Sequence, residues 1–151
     1  MAALLLVVAA AASLATIPLL FARWFEADSG FLALFGERDD LVFFPNAWEA
    51  FGWHDVAIVL LAGAALGCVV AVARGWFVAW AVGAAVAGTG ALVCLLGRAS
   101  PPDPGRGIYT TGALALDPTP AAVVAASCFA AAGLSLTGWA LLVRRRGASA
   151  G

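Results

Sequence analysis

Four long apolar stretches follow one another along the chain, over about 2–24, 55–73, 76–96 and 120–143. None shows a polar stripe; each is apolar on every side, which marks a helix with no wet face. At about 1.5 Å per residue, such stretches match a hydrocarbon core of about 30 Å. The pattern predicts an all-α membrane protein, a four-helix transmembrane bundle forming one domain. The gaps between spans are unequal. Two long ones, about 25–54 and 97–119, fall on one side of the membrane. The short turn at 74–75 and a tail at 147–151 fall on the other.

The first long gap has its own pattern. Phe31–Phe35 and Leu41–Phe44 flank the charged run Gly36–Asp40, and Pro45 follows. Two apolar runs around a polar turn predict a β-hairpin. Asn46 and Glu49 have the spacing of a capping box that opens a short helical lead into span two. In the second gap, Ile108–Thr111 could supply a third strand. A two-stranded hairpin alone is marginal in water, so that strand or the membrane surface has to support it. Two alternatives follow: a small extracellular cap built on a short antiparallel β-sheet, or irregular loops whose aromatics dip into headgroups.

Local chemistry marks the span ends. Pro18 removes a backbone donor near the end of span one. Gly75 breaks the chain between spans two and three, and Thr119-Pro120 reads as N-cap plus first-turn proline for span four. Trp24, Trp48, Trp53 and Trp76 sit near the expected interfaces, as an aromatic belt requires.

Composition excludes a soluble domain. Apolar residues make up 64% of the 151 residues and the mean hydropathy is +0.99. Soluble domains use about 45–50%, and one core of this size could not hide the excess. A net charge of −1 predicts no nucleic-acid partner. Eight of the nine acidic residues lie in the two long gaps, and the ninth, Asp55, stands at the head of span two. The eight cations are all arginine; Arg74 and Arg144–Arg146 lie against span ends on the acid-free side. Arg23, Arg38, Arg98 and Arg106 lie with the acids, so the arginine counts tie. The other four sit in short segments against helix ends, where the positive-inside bias acts. That favours both termini in the cytoplasm and the long loops outside, in a multi-pass protein of the plasma (inner) membrane, with the inverted orientation as the alternative. Span one lacks a positive n-region and exceeds the roughly 7–15 apolar residues of a signal peptide, so it reads as a retained signal anchor. Cys68, Cys94 and Cys128 lie inside spans and read as small packing residues.

No span carries an ionisable residue in its interior, which argues against a pump or proton-coupled transporter. Arg23, His54, Asp55, Arg98 and Asp103 gather at the outer surface. They could form a polar site at the bundle mouth, with the arginines on a phosphate or carboxylate headgroup and His54/Asp55 as an acid/base pair. Alternatively the arginines snorkel and Asp55 favours the positive end of a helix. His54 and Glu49, five apart, are not a helical ligand pair, so no metal is expected. No phosphate loop, nucleophile elbow or HExxH is present, and neither a catalytic residue nor a cofactor is expected.

Lipid tails are as apolar as leucine, so helices associate through close packing of small residues. Gly63-x-x-x-Gly67 in span two and Gly83-x-x-x-Ala87 in span three are the candidate contact faces. On that expectation Gly67→Ile would disrupt the bundle.

The segment Asn46-Ala-Trp-Glu-Ala-Phe-Gly-Trp-His-Asp, running on into span two, resembles a recurrent segment of a group of uncharacterised small four-span membrane proteins of high-GC Gram-positive bacteria. Arg23-Trp24-Phe25 and Arg98-Ala-Ser-Pro-Pro-Asp103 are similar to motifs of that group, although Arg23 stands where proline is usual and the prolines here precede the aspartate. The resemblance implies the four-span layout and makes Trp48, Glu49, Phe51 and Trp53 candidate recognition residues of an outer cap. No activity is assigned to the group. The layout is also similar to that of claudin-type proteins, by analogy only, since their paired loop cysteines are absent. The expected role is an accessory, scaffold or assembly subunit recognised through its outer cap or helix faces. Its partners would be the lipid bilayer and another membrane protein or a second copy. The alternative is a lipid or apolar small-molecule binder or transporter using a cleft between helices.

Overall fold

A computed structural model describes residues 1–22, 24–27, 53–99 and 116–148. Four helices dominate: α1 (Ala2–Leu19), α2 (Trp53–Ala73), α3 (Ala79–Ala99) and α4 (Ala121–Ala148). All four are long and apolar enough to cross a membrane, with hydropathies of 2.3, 2.7, 1.9 and 1.7. Between 17% and 39% of each span is buried inside the bundle. The remainder, including Leu60, Leu134 and Val78, is exposed apolar surface of the kind a bilayer covers. The chain is an all-α, four-helix integral membrane protein.

The helices form a ring in chain order. α2 packs on α1 and α3, α4 packs on α3 and α1, and the diagonal pair α2 and α4 barely touch. Each helix buries one seam. In α2 the seam is Asp55, Ile58, Ala62, Ala65, Val69 and Val72; in α3 it is Gly83, Ala87, Gly90, Cys94 and Gly97. The steps alternate between three and four residues, the 3.5-residue spacing that keeps a seam facing its neighbour. Side chains of α4 fill the gaps left by α3 glycines. Fully buried Phe129 lies over Gly90, and Leu136 over Gly83. Hydroxyls within the helices are satisfied locally: Ser13 donates to Ala9 O at 2.9 Å and Thr16 to Ser13 O at 2.7 Å. Ser127 and Thr137 likewise donate to Val123 O and Gly133 O of their own helix, not across to a neighbour.

Two joints define the ends. Between α2 and α3 the chain turns through Gly75 at φ +94°, where Gly75 N–H donates to Val72 O and Trp76 N–H to Ala71 O, both at 3.0 Å. These are the two bonds of a Schellman motif, and the positive φ is why glycine stands there. Trp76, Phe77 and Val78 continue the turn, so α3 starts at Ala79, inside the apolar run. At the opposite end, Pro18 sits in the last turn of α1, and i→i+3 bonds such as Leu20 N–H to Ile17 O, 3.1 Å, tighten the exit. The chain then runs into β1 (Phe25–Ala27), which pairs antiparallel with β2 (Leu116–Pro118) just before α4. This three-residue pairing is too small to be a layer of its own. The expected hairpin at 31–44 and strand at 108–111 lie outside the described residues, as does the helical lead at 47–53 except for Trp53, which opens α2.

Candidate functional site

The loop end of the bundle is organised around Trp24. Its indole N–H donates to Leu19 O, the last carbonyl of α1, at 2.8 Å. Its main-chain carbonyl accepts from Thr119 N–H, also at 2.8 Å. Thr119 Oγ1 in turn accepts from Ala121 N–H at 3.3 Å, capping α4, with Pro120 in the first turn. One buried tryptophan thus closes α1, locks the β1–β2 pairing and holds the start of α4. It packs in one apolar cluster with Leu20, Ile58 and Ala122.

Asp55 heads the inward seam of α2 at 1% exposure, one turn from Ile58. The first turn of a helix favours a carboxylate, and burial puts this one inside the bundle mouth, not at a wet surface. Of the other expected mouth residues, Arg98 is exposed in the last turn of α3. His54 belongs to the first turn of α2, but its side chain, Arg23 and Asp103 lie outside the described residues. So do Trp48, Glu49 and Phe51, and the side chain of Trp53. Among the described residues no three His, Cys, Asp or Glu side chains group to hold a metal. Cys68, Cys94 and Cys128 are free thiols.

The small-residue faces divide. Gly83 and Ala87 are buried against neighbours, and a Cβ on Gly83 would meet Leu136 Cδ1 at 2.7 Å and Cys68 Cβ at 2.8 Å. Gly63 and Gly67 are exposed, with nothing within 4 Å of an added Cβ. Bulk at Gly67 therefore meets open space and not a helix of this bundle, contrary to the expected effect of Gly67→Ile.

Two grooves open on the lipid-facing surface, both toward the end away from the long loops. One, about 560 Å³, runs between α2 and α3, floored by Gly67 and Ala71 and walled by Trp76, Val78 and Val82. The other, about 300 Å³, lies between α1 and α4, lined by Leu5, Gly138, Leu141 and Leu142 with Arg145 at its rim. Beside them stands an aromatic cluster. The Arg144 guanidinium lies 5.7 Å from the Phe77 ring and 5.9 Å from Trp80, and Phe77 packs on Trp139 at 5.8 Å. These contacts tie α4 to the α2–α3 turn. Sequence reasoning missed this cluster and Gly90; the alternating spacing of Gly83, Ala87, Gly90 and Cys94 was the available signal for the latter. No protein-family model, curated protein or solved structure matches the chain.

Proposed function

We propose that the chain is a non-catalytic subunit of the membrane that docks a transmembrane helix of another protein, or of a second copy, along the α2–α3 groove. One observation carries this: Gly63 and Gly67 are exposed with nothing against them, and Gly67 continues into the concave floor of that groove. Exposed small residues allow backbones to approach closely, which is how helices associate in lipid. The aromatic wall at Trp76 gives such a helix a stop near the interface. The four-span resemblance bears on layout and adds nothing on partners. Arginines against the helix ends support an orientation with the end bearing both grooves in the cytoplasm. A cysteine at Ser149 should then react with an impermeant thiol reagent only after permeabilisation.

The test exploits the open space at Gly67. Wild-type protein and Gly67→Ile are purified in mild detergent from native membranes and compared for stoichiometric partner and for melting temperature. Loss of the partner at unchanged melting temperature supports docking. Equal co-purification with Gly63→Ile and Gly67→Ile refutes it. The second reading, a lipid or apolar-ligand binder, draws on the same groove, whose volume would hold acyl chains. Retained lipid that is displaced by Gly67→Ile, with no protein partner, would favour it.

A further inference from the structure

We infer that the α1–α4 groove at the basic end of the bundle seats an anionic phospholipid, with an acyl chain against its apolar floor and the phosphate at Arg145. The floor is built for a chain. Leu5 of α1 faces Gly138, Leu141 and Leu142 of α4 across about 300 Å³. Gly138 opens the middle; a Cβ there would come within 3.5 Å of Leu5 Cδ1, ordinary contact, so the missing side chain is what leaves room. From Gly138 to Arg145 the floor rises about 10 Å, at about 1.5 Å per residue. That length takes the upper part of an acyl chain beneath its headgroup.

Charge selects the headgroup. Arg145 is exposed at the rim, flanked by Arg144 and Arg146, and Arg74 sits at the same end of the bundle. Among the described residues the acidic ones, Glu26, Asp55 and Asp117, all lie toward the other end. A phosphate at the rim therefore meets positive side chains, and its single negative charge stands uncancelled on an anionic lipid, whereas a choline would cancel it. Basic pockets between transmembrane helices recognise anionic headgroups by this logic. Arg144 is held over Phe77 and Trp80, which leaves Arg145 as the arginine directed to this groove. The inference is independent of what occupies the α2–α3 groove.

The full chain, in nanodiscs or in detergent for native mass spectrometry, is titrated with phosphatidylglycerol and with phosphatidylcholine of matched acyl chains. Wild type should bind phosphatidylglycerol about fivefold more tightly, the effect of one basic residue at an anionic headgroup. Arg145→Gln should remove most of that preference, whereas Arg74→Gln, beside the other joint, should keep it. Gly138→Leu fills the floor and should weaken both lipids; should it fail to fold, Leu141→Ala at the exposed wall should weaken both more modestly. Equal binding of the two lipids by wild type overturns the inference. An Arg145→Gln variant with undiminished preference does so as well, since it would leave only diffuse charge.

Discussion

Gly90→Ala should destabilise the bundle although it adds one methyl group to a helix that alanine favours. An ideal Cβ at Gly90 falls 2.5, 2.6 and 2.7 Å from three ring carbons of Phe129. Carbon atoms in contact normally sit about 3.5–4.0 Å apart, so the overlap approaches 1 Å along a rigid ring edge. Phe129 is fully buried and cannot swing out. Either α3 and α4 spread or the ring leaves its rotamer, an overpacking cost at the upper end of about 1–3 kcal/mol. Helix propensity returns about 1 kcal/mol, leaving a net loss of about 2 kcal/mol. For a domain of this size that lowers the melting temperature by about 4–8 °C. Tryptophan fluorescence of the purified protein, heated in mild detergent, reads the change. Gly67→Ala is the control: it gains the same propensity and meets nothing, so it should melt at or above wild type. Phe129→Leu in the Gly90→Ala background should recover part of the loss, a coupling expected only of touching residues. If Gly90→Ala melts like wild type, or if the two alanine variants behave alike, the packing argument is wrong.

Substitutions at Trp24, Thr119 and Gly75 test the joints. Trp24→Phe removes the indole bond to Leu19 O, about 1 kcal/mol, and leaves a cavity where the fused ring was buried, so it should cost more than that, whereas Trp76→Phe at an exposed position should leave the melting curve unchanged. Thr119→Val should cost about 1 kcal/mol by uncapping α4, and Thr119→Ser should retain most of the stability; a valine variant as stable as serine would show that the cap is idle. Gly75→Ala must hold a side chain at positive φ and should cost about 1–2 kcal/mol, visible as faster hydrogen exchange at the Gly75 and Trp76 amides.

The existence and number of the spans were legible because length and hydropathy alone decide them. Which side of each span faces inward was not, because a helix apolar all round carries no phase in its hydropathy. Small residues carry it, but only at the right period. Counting strictly by four from Gly83 leads through Ala87 to Ala91 and drifts off the face, since four residues overshoot a turn by about 40°. The alternating steps through Ala87, Gly90 and Cys94 stay on it. The same error selects Gly63 and Gly67 in α2, although Ala62, Ala65 and Val69 are the buried set. A polar clue to the right phase was present at the head of that helix. Asp55 begins a series, 55, 58, 62, 65, 69, 72, that is the buried seam throughout. A charged group at a span end is ordinarily assigned to the interface, where water is near. Here the inward position is 1% exposed, at the end of the bundle where Trp24 bonds to Leu19 and Thr119. That arrangement depends on strands about 91 residues apart, Phe25–Ala27 and Leu116–Pro118, and such a separation is beyond any local pattern. Trp24 is the one local trace that this long-range pairing leaves in the sequence.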